Sequence, residues 1–489
     1  MNLFERTIAS LSPSLALERA RNRLALEATA RYDAATRTRR GASIRVSRDD
    51  ADAASHRRDI ISFAARDMIR NAPFAQRGLR VIRSNVVGDG IIPSLANVET
   101  EGVLRAWGRW VEHFDSTAID ARGLQNLYGL QGLVMNAVCS DGECLVIRRR
   151  GTRAMPLQLE VLEADYLNDW RDGRLPNGSI IHQGIERTPS GAIVAYHLYK
   201  EHPGTLRPWR QSSSFISERI PASDVAHVFR VDRPGQTRGV SWFAPVTMNL
   251  QDLADYQDAQ LVRNKIAACF AMFRRRDEMD GEPRGEPFPN KVQPGAIYEL
   301  PPGESVEVAT PPRVDGYNEF TSVVLRAIAA GLGITYEALA GDLSGVNFSS
   351  ARMGRMEMDR NISSWQWTLL IPQLCDRIAR WALEAWAVSD MPSPPSRARI
   401  QWTPPARVIV DPNREFEALK DQVRSGFTSR SQVIRSLGYD PETVEAEIAR
   451  DMAVNDEMGA VFDTDPRQDK GRQAAAFVPD QPPPPAVDD

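Results

Sequence analysis

The residues that could do chemistry in this chain include two carboxylates on either side of a glycine. Asp141-Gly142-Glu143 could hold a divalent ion for phosphodiester cleavage. Such sites, however, need several carboxylates that converge on the ions, and an Asp-Gly pair more often forms a turn. A turn is therefore the preferred interpretation of this motif, with catalysis as its alternative.

A second acidic series has helical spacing. Asp252, Asp255 and Asp258 follow one another at intervals of three residues, which places them on one side of a helix. A solvated helix face explains the series, and a functional acidic surface is the alternative. The sequence leaves both interpretations open.

Metal ligands and hydrolase motifs offer little further chemistry. The cysteines and histidines are Cys139, Cys144, Cys269, Cys375, His56, His113, His182, His197, His202 and His227. Four cysteines in so long a chain do not make a disulfide framework, and the Cys-x4-Cys pair lies in an apolar stretch where buried thiols are expected. The histidines are dispersed, so hydrogen-bonded or surface side chains are preferred over a shared metal site. The sequence contains no Gly-x4-Gly-Lys-Ser/Thr, His-Glu-x2-His or Gly-x-Ser-x-Gly motif, so we expect no cofactor and no enzymatic activity.

Composition indicates a protein of two or three domains that does not span a membrane. The chain is 42% hydrophobic and 25% charged, with a net charge of −4. Residues 1–48 carry a net charge of +6, whereas residues 440–489 carry −9. Arginine outnumbers lysine by 55 to 5. Genomic base composition is the preferred explanation of this bias, and pairing of arginine with phosphate or carboxylate groups is the alternative. No apolar run reaches the roughly 18 residues that a membrane span needs, and no signal-peptide pattern opens the chain, so a cytosol is the default site of synthesis.

The elements that must position these residues are mainly helical, with an inserted β-rich part. Helical spacing is found over residues 57–87, interrupted by Pro73, and short alternating runs between about 131 and 232 predict an antiparallel β subdomain. An uninterrupted helical stretch follows at about 245–274. Strand-like runs at 296–300 and 305–309 then predict a small hairpin before a helix at about 316–331.

The C-terminal third is again helical. A helix of about 349–388 is expected to kink at Pro372. Its tryptophans, Trp365, Trp367, Trp381 and Trp386, are interpreted as core residues in preference to base-stacking residues. A strand at 400–410 precedes helices whose start signals are Asp411-Pro412, Ser429 and Asp440.

Several segments, taken in order, resemble the lambda-type portal proteins of tailed phages. The first two are residues 64–75 (AARDMIRNAPFA) and 82–91 (IRSNVVGDGI). More than 230 residues later come 327–337 (AIAAGLGITYE), then Gly341-Asp342 and 347–352 (NFSSAR). The resemblance extends from about residue 30 to about 455. It implies an α+β, mainly helical portal fold with wing, stem, clip and crown regions, assembled into a ring.

The resemblance also implies a division of the chain. Its expected parts in the first two thirds are an N-terminal arm (1–56), a wing with the β-rich subdomain (57–240), a first stem helix (241–274) and a clip (275–312). Its expected parts in the remainder are a second stem helix and turn (313–340), a tunnel loop (341–350), a long tunnel-to-wing helix (351–394), a wing return (395–427), crown helices (428–460) and a Pro-rich tail (461–489).

Site residues follow from those parts. The tunnel loop would present to DNA Asp342, Leu343, Ser344, Val346, Asn347 and Phe348. The acidic stem residues Asp252, Asp255 and Asp258 would line the channel and keep DNA from adhering. The clip would dock the packaging motor through Arg274, Arg275, Arg276 and Glu278. Arg352 and Arg355 could reach DNA or an acidic residue of a neighbouring subunit, and the neighbour is preferred.

The implied function is a channel of twelve subunits at a capsid vertex, through which double-stranded DNA is packaged and ejected. The implied partners are the terminase large subunit, the major capsid protein, the scaffold and the head-completion or adaptor proteins, with no membrane. The implied location is the virion, with assembly in the host cytoplasm. Another connector or capsid structural protein is the alternative, and a metal-dependent nuclease is a more distant one.

Overall fold

The computed structural model describes residues 58–98, 100–205, 216–268, 272–276, 304–308, 317–407, 409 and 411–460. The chain divides into two compact units, one of residues 1–56 with 231–237 and one of residues 57–230 with 238–489. The helices and strands described below belong to the second unit. The predicted arm (1–56), the tail (461–489) and most of the clip (275–312) lie outside the described residues.

The first part of the second unit is helical. Its elements are α1 (Arg58–Asn71), α2 (Pro73–Val86), β1 (Ile92–Ala96), α3 (Glu101–Asp115) and α4 (Leu127–Asp141). The predicted break at Pro73 is confirmed, because this proline occupies the first position of α2, where a missing N–H costs nothing. α4 ends at Gly142, whose φ of 92° is a left-handed conformation that favours glycine.

The predicted antiparallel β subdomain is also confirmed. Its strands are β2 (Glu143–Arg149), β3 (Gln158–Glu163), β4 (Gly173–Arg174), β5 (Ile180–His182), β6 (Ile185–Arg187), β7 (Ile193–Tyr199), β8 (Ser217–Pro221) and β9 (Val225–Phe229). They form a three-stranded sheet of order β3-β2-β9 and a five-stranded sheet of order β4-β5-β6-β7-β8. A small core that includes Leu145, Leu162, Ile185 and Tyr196 draws residues from both sheets.

The region predicted as stem and clip differs from expectation at one boundary. The following elements are α5 (Thr247–Ala268), β10 (Met272–Arg276), β11 (Glu304–Val308), α6 (Tyr317–Leu332) and α7 (Tyr336–Ala340). The sequence predicts a first stem helix that reaches residue 274, but α5 ends at Ala268 and Arg274 lies on β10. β10 pairs antiparallel with β11, so the ladder places Arg274 opposite Val306. The hairpin partner of residues 304–308 is therefore 272–276, where the sequence suggested 296–300.

The remaining elements are α8 (Phe348–Ser364), a π-helical segment (Trp365–Cys375), α9 (Asp376–Ala387), β12 (Arg399–Thr403), α10 (Pro412–Arg424), α11 (Arg430–Ser436) and α12 (Pro441–Met458). Pro372 lies inside the π-helical segment. Because proline cannot donate to the preceding turn, a wider helical turn accommodates it without ending the helix. The largest core contains Trp110, Trp242, Trp381 and Trp386 and packs the long helix against α3 and its neighbours.

Candidate functional site

The Asp141-Gly142-Glu143 motif is the centre of a buried charge network. Glu143 is 1% exposed, and it lies directly after the left-handed Gly142. A Cβ on Gly142 would come within 2.3 Å of the Val240 carbonyl carbon, so backbone from a distant segment packs closely against the motif. The motif makes the tight turn from α4 into β2, which agrees with the preferred interpretation of the sequence, and its two acidic side chains are buried.

Four donors converge on the carboxylate of Glu143. Arg238 donates from Nε at 3.0 Å and from Nη2 at 2.6 Å to Oε1. Arg58 donates from Nη1 to the same oxygen. The other oxygen accepts from the Gly239 backbone N–H at 2.7 Å and lies 3.1 Å from His227 Nε2. Burial alone would raise the pKa of Glu143, but the charges of Arg238 and Arg58 outweigh it and hold that pKa well below its usual range.

Asp169 completes this network at its edge. It accepts from Arg58 Nη2 at 2.9 Å and from Arg238 Nη1 at 2.6 Å. Its side chain is partly exposed, so the two arginines run from a buried carboxylate towards a solvated one. The positive charges of Arg58 and Arg238 thus balance the negative charges of Glu143 and Asp169. Buried charges are tolerated when they are paired in this way.

A second network surrounds Asp141. Arg66 forms a bidentate pair with its carboxylate, at 2.7 Å from Nε and 2.8 Å from Nη2, and also binds Asp165 at 2.6 Å. Burial alone would lower the pKa of Arg66, but the hydrogen bond and charge of Asp141 raise it above its ordinary value. The Arg66 side chain is therefore charged and holds α1 against the β subdomain.

One group in the described part of the chain has the composition of a metal site. Glu163, Asp165 and His202 bring their ligand atoms within 4.8 Å of one another. Arg66 already occupies this position, since its guanidinium lies 2.6 Å from Asp165 and 3.5 Å from Glu163. A divalent ion there would meet a fixed positive charge, so the group serves as an ion-pair cluster.

The loop predicted to meet DNA, residues 341–350, is built from local caps. Gly341 ends α7 in the left-handed conformation, with φ of 71°. The Asp342 carboxylate accepts from the Ser344 N–H at 3.0 Å, and this hydrogen bond lowers the pKa of Asp342. Asn347 caps α8 by accepting from the Ser350 N–H at 2.8 Å, and the Ser350 hydroxyl oxygen accepts in turn from the Asn347 N–H. Leu343, Ser344 and Gly345 lie exposed between these caps, while the Phe348 side chain lies outside the described part.

The segment before the loop is anchored in the core. Arg77 donates to the carbonyl of Ala338 at 3.0 Å, which holds α7 to α2. Leu339 is buried, and Asn361 on α8 donates to the Gly333 carbonyl at 3.0 Å. Gly333, with φ of 71°, lies against the ring of Trp365. The exposed residues therefore project from a fixed base.

The acidic stem residues lie where helical spacing placed them. Asp252, Asp255 and Asp258 are all exposed on α5, and Asp255 accepts from Gln251 at 2.8 Å. The opposite face of this helix carries Leu250 and Leu253, which are each 2% exposed. On a further side, the ring of Tyr256 lies 4.5 Å from that of Phe320 and 5.8 Å from that of Tyr317, both on α6. The three carboxylates therefore lie at the surface of the described part of the chain.

The remaining predicted site residues are scattered. Arg274, Arg275 and Arg276 follow one another on β10, and Glu278 lies outside the described residues. Arg352 is exposed on α8. Arg355 forms an ion pair with Asp359 of its own helix at 2.9 Å, so an acidic residue of the same chain already meets it.

The tryptophans of the long helix do not all lie in the core. Trp381 and Trp386 are buried and Trp365 is partly buried, as predicted, but Trp367 is 55% exposed. The rotation of the helix from one residue to the next turns Trp367 away from its buried neighbour Gln366, which donates to the Val86 carbonyl at 2.9 Å. The prediction was wrong for this residue.

The arginines of the charge networks carried no signal in the sequence. Arg58, Arg66 and Arg238 belong to a chain rich in arginine, and their carboxylate partners include residues 75 to 111 positions away. Of the residues in these two networks, the sequence singled out only Asp141 and Glu143 of the Asp-Gly-Glu motif as a possible site. These residues hold α1, α4, β2 and the segment before α5 together, and both carboxylates of the motif are engaged in ion pairs.

Known proteins with similar sequences agree on one family. The model of the phage portal proteins of the lambda family matches residues 37–366. A probable portal protein of Halomonas phage phiHAP-1 is 26% identical, with 79% of each chain covered. Portal protein B of Escherichia phage lambda is 22% identical, covering 79% of this chain and 82% of the relative.

Solved structures give a weaker likeness. A chain from the virion of a native gene transfer agent particle is 14% identical with a TM-score of 0.48, covering 79% of this chain and 94% of that one. No helix in the described part of the chain combines the length and the apolar character that a membrane span needs. Because the lambda-family model covers well over half of the sequence, this chain belongs to the lambda family of phage portal proteins.

Proposed function

We propose that this chain is the subunit of a twelve-membered ring at one capsid vertex, through which double-stranded DNA enters and leaves. The observation that carries the proposal is the apolar surface of the helix pair α5 and α6. Leu261 on α5 and Phe320 and Val323 on α6 are exposed. Surface of this kind on adjacent helices is expected where subunits pack around a closed ring.

Burial against neighbours would stabilise the ring substantially. Fully burying a valine, leucine or methionine side chain contributes about 1.5–3 kcal/mol. A closed cyclic ring repeats the same interface at every subunit, so no copy is left with its apolar face in water.

The acidic residues suit the inner surface of such a channel. Asp252, Asp255 and Asp258 are exposed on α5, and no lysine or arginine lies between them. A phosphate backbone is held by cationic side chains, and each contact adds salt-dependent affinity. An acidic lining lowers that affinity and therefore favours movement of DNA.

The loop of residues 341–350 would act as the tunnel loop in this ring. Its exposed groups include one carboxylate, Asp342, together with the neutral side chains of Leu343, Ser344 and Asn347. These groups can contact DNA without the strong grip of a row of arginines.

The partners follow from the same proposal. Residues 275–312 would dock the terminase large subunit and later the head-completion or adaptor proteins. The wing would contact the major capsid protein and the scaffold. ATP hydrolysis would come from the docked motor, since this sequence lacks a phosphate-binding loop.

Native mass spectrometry of the purified chain tests the ring. We expect a closed oligomer of twelve copies, and Val323→Asp should prevent its assembly while the subunit keeps its circular dichroism spectrum. Val388→Asp is the matched control, since Val388 is also exposed but lies outside the helix pair. Monomers or dimers alone at micromolar concentration, or equal assembly of both variants, would contradict the proposal.

A further inference from the structure

A groove of about 630 Å³ lies between the long helix and the C-terminal helices. Trp367 of the long helix lines it, as do Pro404 and Pro405, which follow β12. Leu419 on α10 and Leu437, directly after α11, line it as well. The groove is thus largely apolar and lined by an aromatic ring and prolines.

The groove is incompletely filled by the described chain. Trp367 leaves 55% of its surface exposed, although Trp381 and Trp386 of the same long helix are buried. Neither α10 nor α11 has a fully buried residue. The exposed indole of Trp367 and the poorly buried helices beside it together offer an apolar surface on which a ligand can pack.

Charge at the rim indicates what kind of ligand fits. The charged side chains that line the groove are Arg407, Arg435 and Glu415. Both arginines are exposed, whereas Glu415 is partly buried and its carboxylate lies 3.5 Å from the Asp411 N–H at the start of its own helix. The rim therefore favours an acidic segment over a basic one.

The C-terminal tail has the matching chemistry. Residues 480–489 contain four consecutive prolines, Pro482–Pro485, together with Asp480, Asp488, Asp489 and no basic residue. Proline-rich segments bind grooves lined by aromatic side chains, because their extended backbone exposes carbonyls and loses little entropy on binding.

The tail can also reach the groove. α12 packs against α11 and has 18 residues, so it carries the chain about 27 Å from the groove at 1.5 Å per residue. From Gly459 to Gln481 the chain can span about 70 Å, which is more than twice that distance. We propose that the groove beside Trp367 binds the chain's own acidic, proline-rich tail, residues 480–489.

Fluorescence quenching in the full chain tests this proposal. A bimane dye attached at Val487→Cys is quenched when a tryptophan contacts it. Cys139, Cys144 and Cys375 are buried, and labelling of the unsubstituted chain measures the remaining background. We expect quenched dye in the otherwise unaltered chain and loss of that quenching with Trp367→Phe, which removes the quencher but keeps an aromatic wall.

Trp170→Phe is the matched control, because Trp170 is 92% exposed but lies in the β subdomain. It should leave the dye quenched. Replacing Pro482–Pro485 by a Gly-Ser sequence should also abolish quenching, as should reversing the charge of the groove rim with Arg407→Glu and Arg435→Glu.

Quenching that is absent from the start, or that survives Trp367→Phe, would overturn the proposal. Slower hydrogen exchange of α10 and α11 on ring assembly, without Trp367-dependent quenching, would assign the groove to a neighbouring subunit and overturn it equally.

Discussion

Arg238 and Glu143 are each 1% exposed at the side chain and form a buried pair between two segments that are distant in the sequence. The guanidinium approaches the carboxylate at 2.6 Å from Nη2 and 3.0 Å from Nε. Glu143 opens the central strand of the three-stranded sheet, whereas Arg238 precedes the segment that leads into α5. The pair therefore fixes the chain before α5 to the β subdomain.

Glu143→Gln should destabilise the subunit strongly. Removing one partner of a buried ion pair leaves an uncompensated charge and costs about 3–5 kcal/mol. Here two arginines, Arg238 and Arg58, lose their buried anion together and keep only the partly exposed Asp169. Chemical denaturation followed by circular dichroism measures the loss.

The matched control for that variant is Glu160→Gln, which breaks an ion pair with Arg149 on the neighbouring strand. Those two side chains are 23% and 48% exposed, so the expected loss is about 0–1 kcal/mol. Equal losses in the two variants would show that burial of Glu143 does not set the strength of its network.

Gly142→Ala should be more damaging than Gly426→Ala. Both glycines have positive φ, at 92° and 76°, so an alanine is strained by about 1–2 kcal/mol at either position. Only at Gly142 would the added Cβ meet backbone, 2.3 Å from Val240, whereas nothing lies within 4 Å at Gly426. We expect the Gly142 variant to lose at least about 2 kcal/mol more, because packed backbone cannot move aside.

Thermal or denaturant unfolding of the two glycine variants measures this difference. Identical unfolding curves would mean that the segment around Val240 shifts freely, and the close packing described for the Asp-Gly-Glu motif would then not be maintained in solution.

Local signals in the sequence predicted much of the fold. Asp411, Ser429 and Asp440 were expected to start helices, and each accepts a hydrogen bond from a backbone N–H three residues later. Capping depends on neighbouring residues only, so sequence contains the needed information. The alternating runs of the β subdomain are local in the same sense.

Pairings between distant segments could not be predicted in this way. β1 pairs with β12, bringing Ile92 opposite Thr403, and nothing within either strand specifies the other. The arginine partners of Glu143 are likewise 85 and 95 positions away. Trp367 looked like a core residue because its neighbours are apolar, and only the position of the helix shows which side faces the groove.

The stability of the subunit should fall as pH decreases below neutrality. Burial lowers the pKa of His113 from 6.5, although its hydrogen bond to the Leu157 carbonyl opposes this. Burial likewise lowers the pKa of His227. As pH falls through 6.5, the unfolded chain therefore takes up protons before the folded one, and the free energy of unfolding declines until the folded pKa is reached.

Unfolding measured between about pH 7.5 and about pH 5.5 checks this dependence. His113→Gln should unfold with a shallower dependence on pH, because it removes one of three buried imidazoles with a lowered pKa in the described residues, those of His113, His197 and His227. His182→Gln, at a surface position, should keep the dependence of the original chain. A steeper dependence for His113→Gln would mean that the folded state binds a proton at His113 more readily than the unfolded chain does, which is the opposite sign.

Loop 341–350 should be needed for handling DNA and dispensable for assembly. Its caps at Gly341 and Asn347 and the buried Leu339 hold the base, so the exposed residues between them contribute little to the fold. Deleting Leu343 to Val346, or replacing them by Gly-Ser-Gly-Ser to keep the length, should leave rings of normal size. Packaging or retention of DNA should decrease if, as we propose, these groups contact the phosphate backbone inside the ring. A single substitution refines the test: Leu343→Ser should reduce retention, whereas Leu124→Ser, at a similarly exposed leucine in the wing, should not. The measurement is the length of nuclease-protected DNA in assembled particles. Full-length DNA at normal yield in both loop variants would remove the loop from the mechanism, and loss of rings would show instead that the loop belongs to the subunit interface.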